Sequence, residues 1–104
     1  MSRQELIKKI SEILKTVPSA ESWLFGSSAR GDYREDSDIH LLILLPDSLT
    51  SKERICTQED ILEMLLPIEI ETGIEITPVI LQHKVWNQRK TPFTINVNRE
   101  RISL

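Results

Sequence analysis

Phe25-Gly26-Ser27-Ser28-Ala29-Arg30-Gly31-Asp32, closely followed by Ser37-Asp38-Ile39-His40-Leu41-Leu42-Ile43-Leu44-Leu45, is the stretch on which the fold turns. A short apolar segment runs into Gly-Ser, then comes a polar turn rich in charge, and a nearly continuous apolar run begins directly after an acid. The run Ile39 to Leu45 suits a central strand covered on both faces, and Pro46-Asp47-Ser48 stops it. Glu21 to Phe25 reads as a second short strand that Gly26 ends. Glycine allows close backbone approach to an anion, and the N–H groups of a helix start beyond it can point at a phosphate. Strand residues two apart share a face, so Asp38 and His40 leave on one side while Ile39 and Leu41 pack on the other. The pattern describes a phosphate-gripping turn and an acid brought together by two strands.

Outward from this centre, Ser2-Arg3-Gln4-Glu5 has the form of a capping box. Leu6, Ile10, Ile13, Leu14 and Val17 recur at helical spacing, so a helix is expected over residues 2–16, ending before Pro18. A second helix is expected from Thr50 or Ser51, turning Ile55, Leu62 and Leu65 inward and Glu59, Asp60 and Glu63 to water. From Pro67 on, Ile68 to Ile76 alternates with period two around Thr72-Gly73, a pattern that also fits a hairpin. The helix, kinked or interrupted near Pro67 and closed by Gly73, is the favoured reading. Ile74 to Leu81 reads as a third strand, placed at an edge or bulge by Pro78. Gln82 to Lys90 suits a short helix, and Thr91-Pro92 caps a last helix through about Glu100. The expected architecture is α/β (α+β), a small mixed sheet of about three strands flanked by helices.

The chain's 104 residues fit one domain over residues 1–104, large enough for a core and too small for a second lobe. A net charge of −3 argues against an extended nucleic-acid surface, because duplex affinity comes largely from Lys and Arg. Cys56 is the single cysteine, which leaves no intrachain disulfide and suits a reducing compartment. No signal peptide or membrane span is visible, so a cytoplasmic location is expected. Cys56, His83, Trp23 and Phe25 read as packing or surface residues. Trp86 and Phe93 fit either packing of the last helices or an apolar patch for a partner.

Gly26, Ser27 and Asp38, with ten residues between Ser27 and Asp38, resemble the signature of the DNA polymerase beta-like nucleotidyltransferase superfamily, especially its minimal nucleotidyltransferase branch. Ala29-Arg30-Gly31-Asp32 and Ser37 match the usual flanks. Thr91-Pro92-Phe93 and Asn96-Val97-Asn98-Arg99-Glu100 resemble the closing helix. The family pattern is Gly-Ser, ten residues, Asp-x-Asp, and this chain carries His40 at the second acid; Arg101 stands where similar sequences often have glycine.

The resemblance implies transfer of a nucleotidyl group, adenylyl in the first instance, from an NTP such as ATP to a hydroxyl on a protein or small molecule. Gly26, Ser27 and Arg30 would hold phosphate. Asp38 and His40 would be the catalytic pair, and Asp38, His40 and Glu75 the metal set, Glu75 being otherwise a solvated acid on an edge strand. Magnesium is the implied ion, with manganese or another divalent ion in its place because of His40. One unit charge pair at about 4 Å contributes roughly 4 kcal/mol at an effective dielectric near 20, so loss of an acid beside a divalent ion is costly. His40 therefore stands as a softer-ion ligand, as a non-ligand in a single-metal or inactive site, or as a hydrogen-bonding neighbour of Asp38. The competing implication is a noncatalytic binding protein of the same fold, antitoxin-like, with a small helical protein as partner; a homo-oligomer is compatible with either.

Overall fold

The computed structural model describes residues 2–104. Along the chain it forms α1 (Arg3–Leu14), β1 (Glu21–Phe25), α2 (Ser27–Arg30), β2 (Ile39–Leu45), α3 (Ser51–Thr72), β3 (Ile76–Gln82), α4 (His83–Gln88), α5 (Pro92–Glu100) and β4 (Ile102–Ser103). The sheet has four strands in the order β3-β2-β1-β4. β2 runs antiparallel to β1 and parallel to β3, and β4 pairs antiparallel with β1.

The apolar run of β2 is explained by its central place. Ile39, Leu41, Leu42, Ile43 and Leu45 are fully buried and Leu44 nearly so. Full burial of such a side chain contributes about 1.5–3 kcal/mol, so this strand anchors both sides of the sheet. On one face Leu24, Ile39, Leu41, Ile43 and Leu45 pack with Leu6, Ile10 and Leu14 of α1 and with Ile61, Leu65 and Ile68 of α3. On the other, Phe25, Leu42 and Leu44 pack with Trp86 of α4 and Val97 of α5. The alternation of side chains along each strand thus separates an aliphatic core from an aromatic one.

Local chemistry sets the helix ends. Ser2 accepts the Glu5 N–H to cap α1, and Thr50 and Glu53 exchange hydrogen bonds in a full capping box on α3. Pro67 lies within α3, which continues to Thr72 and ends at left-handed Gly73, so the helix and not the hairpin occupies residues 67–72. Pro92 starts α5 behind the Thr91 cap.

Three expectations are corrected. The sheet gains β4, a two-residue strand with exposed side chains that is held by backbone pairing to Trp23 and Leu24, so no apolar pattern announced it. The turn after Gly26 contains the single helical turn α2. Ile55 and Leu62 of α3 face outward while Ile61, Leu65 and Ile68 face in. The helix carries apolar residues on two stripes, and contact with the sheet selects the second.

Candidate functional site

The site lies where β1 ends and β2 and β3 begin. Pairing aligns Phe25 of β1, His40 of β2 and Thr77 of β3 in one row across the sheet, on the side of α4 and α5. The next row back is Trp23, Leu42 and Val79. Continuing the parallel register past the strand starts sets Asp38 beside Glu75, and the Ile39 N–H donates to the Glu75 carbonyl at 2.9 Å. Asp38 and Glu75 are exposed, whereas His40 is half-buried. Strand alternation places His40 and Thr77 on the cavity side, while Asp38 and Glu75 immediately precede β2 and β3.

Gly26 is required twice over. Its backbone, at φ 78° and ψ −158°, occupies a region essentially restricted to glycine. A Cβ there would also lie 3.1 Å from Cδ2 of His40. The His40 ring is 5.5 Å from that of Phe25, which makes an edge contact with Phe93 at 5.8 Å. Beyond Gly26 the N–H groups of Ala29 and Arg30 donate to the Gly26 carbonyl, folding α2 back so that Arg30 returns toward the strand end. Ser27 opens this turn half-buried, while the hydroxyl of buried Ser28 has no protein partner.

A cavity of about 580 Å³ opens against these residues, a size suited to a nucleotide. Phe25, Val79, Phe93 and Val97 supply its apolar wall; Gly26, Arg30, His40, Asn96 and Glu100 supply its polar groups. The carboxylates of Asp38 and Glu75 lie outside this lining.

Two groups in the wall converge on one carboxylate. The Gly26 N–H donates to Oε1 of Glu100 and Nη1 of Arg30 donates to Oε2, each at 3.0 Å. Arg30 also donates through Nε to Asp32 at 3.2 Å. Hydrogen bonds to Glu100 and then Asp32 hold the proton on the Arg30 guanidinium more tightly than usual. In the sequence Glu100 is legible only as part of the closing helix, and its contact across 70 residues leaves no local signal.

Arg3 likewise carries no sequence signal for its role. Nearly buried, it donates through Nη2 to the carbonyls of Arg34 and Glu35, both at 3.0 Å, and stacks its guanidinium 5.0 Å over Tyr33. The first turn of α1 thereby fixes the loop that delivers Asp38.

The donor set does not assemble a three-ligand cation centre. Among the described residues no three His, Cys, Asp or Glu side chains are grouped closely enough to hold an ion. His40 also offers nitrogen where magnesium favours oxygen, and its ring is turned onto Gly26 and Phe25. Directly visible is a carboxylate held by Gly26 and Arg30 beside an aromatic-walled cavity.

Comparison with known proteins gives a consistent answer. The family described as nucleotidyltransferase domain matches residues 5–93. A curated relative from Methanocaldococcus jannaschii, named as a protein adenylyltransferase, is 37% identical over 82 residues, covering 79% of this chain and 78% of its own. Among solved structures, a toxin-antitoxin crystallised with AMP-PNP superposes with a TM-score of 0.60 at 20% identity, over 92% of this chain and 69% of the other. A Sulfolobus solfataricus structure described as a nucleotidyltransferase superposes with a TM-score of 0.57 at 20% identity, over 96% and 79%. The two structures share the fold, and among the described residues no helix is long and apolar enough to cross a membrane. The Gly-Ser turn, the strand that carries Asp38 behind it and the match over residues 5–93 agree, and the chain belongs to the nucleotidyltransferase domain family.

Proposed function

We propose that this protein transfers an adenylyl group from ATP to a hydroxyl of a protein or small molecule, at a rate held down by His40. In this reaction the acceptor oxygen bonds to the α-phosphorus, the bond from that phosphorus to the bridging oxygen breaks, pyrophosphate leaves and the hydroxyl proton passes to solvent. The barrier is mostly a matter of positioning and of balancing negative charge. The observation that carries the reading is the convergence of the Gly26 N–H and the Arg30 guanidinium at the wall of the 580 Å³ cavity. These groups would hold phosphate together with Ser27, while Phe25 and Phe93 offer an apolar wall for the nucleoside. The relative from M. jannaschii, named for protein adenylyl transfer, supports the choice of adenylyl and of a protein acceptor. Asp38 would be the principal acid. Glu75, beside it in register, completes a carboxylate pair that lacks the oxygen His40 does not supply.

A second reading is favoured by α3. Ile55, Leu62, Leu66 and Ile70 are 46–75% exposed and lie on one stripe along the helix. Exposed Glu59 and Glu63 lie along that stripe, so it fits a partner helix with an apolar face and a basic edge. The toxin-antitoxin neighbour supports a partner protein, and a partner engaged here would need no transfer reaction.

Calorimetric titration of ATP with magnesium, with manganese and with EDTA separates the readings when run on the natural chain and on His40→Asp and Asp38→Ala. Transfer predicts metal-dependent ATP binding that tightens at least tenfold with magnesium in His40→Asp and is lost in Asp38→Ala. Absence of ATP binding in the natural chain and in His40→Asp, with every metal, overturns transfer and leaves the docking reading.

A further inference from the structure

We propose that Glu100 is a displaceable occupant of the phosphate seat, so that Glu100 bonded to Gly26 and Arg30 is a closed form which the nucleotide must open. The proposal rests on the reading that Gly26 and Arg30 hold phosphate. One carboxylate takes both donors, Oε1 from the Gly26 N–H and Oε2 from Arg30, each at 3.0 Å. Two oxygens on one anionic centre, received by a backbone N–H and a guanidinium, are the contacts a phosphate would make there. The two anions exclude each other. A phosphate added beside a retained Glu100 would find the Gly26 N–H and the Nη1 side of Arg30 taken, and a like charge within a few ångströms.

The position of Glu100 suits release. It is the last residue of α5, its side chain is 22% accessible, and it lies in the cavity wall rather than in either core. The chain beyond Glu100 is tied to the sheet edge through β4 and to the aliphatic core through Leu104. β4 has two residues with exposed side chains, Arg101 rests on the Trp23 ring at 4.3 Å, and the Leu104 N–H donates to the Ser22 carbonyl at 3.1 Å. The Glu100 side chain itself belongs to neither core, and its movement is passed on to β4 and Leu104. A permanent strut would have the same two hydrogen bonds, so the distinction has to come from competition.

The test is titration of ATP and of inorganic tripolyphosphate into the natural protein, Glu100→Gln and Glu100→Ala, with thermal unfolding of each. Removing a charged competitor should tighten both ligands about tenfold, since hydrogen bonds to charged groups are the stronger class. Because either variant can also loosen α5, the amide resonance of Gly26 is monitored in the natural protein, where ATP should shift it together with that of Leu104. ATP binding by the natural chain with equal or weaker affinity in both variants makes Glu100 a strut and overturns the latch alone. Absence of binding by the natural chain and by both variants overturns the phosphate seat itself, and the latch with it.

Discussion

The two faces of the sheet differ in what they contain and in how completely they are closed. Toward α1 and α3 the side chains of Leu24, Ile39, Leu41, Ile43 and Leu45 are aliphatic and sealed. Toward α4 and α5 the layer is built around Phe25, Trp23 and Trp86, and it opens at the strand ends into the cavity beside Gly26 and His40. The same strand, β2, serves both. Its odd-numbered residues stabilise the domain, while even-numbered His40 enters the site and Leu42 and Leu44 pack below it. A nucleotide site can be built on a rigid strand because its stabilising contacts lie on the opposite side.

This contrast can be broken by substitution. Leu41→Ala should cost about 3 kcal/mol, read from urea unfolding, because it leaves a cavity in the sealed layer. The affinity of the remaining folded protein for ATP should be unchanged. Gly26→Ala should cost less, about 2 kcal/mol of backbone strain, and yet abolish ATP binding. Adding His40→Ala should recover the part of that cost due to contact with the ring, leaving the part due to φ, as a double-mutant cycle would resolve.

Thr50→Ala, remote from the cavity, should cost about 1 kcal/mol and leave ligand binding intact. It also sharpens the pH dependence. Hydrogen bonds from the Thr50 backbone and then its side chain hold the Glu53 carboxyl below the usual range. The stability gained from Glu53 is therefore present above its unfolded value and fades as pH falls through the lowered folded one. The difference in unfolding midpoint between natural protein and variant should narrow when measured at about pH 3 rather than pH 7.

The aliphatic layer was the legible half. Continuous burial of β2, the helix over residues 3–14, the Thr50 and Thr91 caps and Gly73 as a helix stop all arise from local patterns. Strand parity separates His40, at the cavity, from Ile39 and Leu41 in the aliphatic core. The features that stayed hidden depend on contacts between distant residues. Arg3 holds carbonyls of a loop 31 and 32 positions away, and Glu100 reaches Gly26 across 74. In α3 the expectation that Ile55 and Leu62 turn inward fails because a second apolar stripe has the same helical spacing, and only the sheet distinguishes the two. β4 carries no hydrophobic pattern because its side chains are exposed and its bonds are those of the backbone.

Pro78 has a consequence beyond ending doubt about which strand is outermost. β3 borders the sheet, and an open border offers a row of amide groups to any passing extended chain. Proline has no hydrogen to donate, so it interrupts that row within the strand, opposite Leu41. Copies of this protein are thereby discouraged from joining border to border into fibrils. At this border an association partner is left to engage side chains instead of lengthening the sheet.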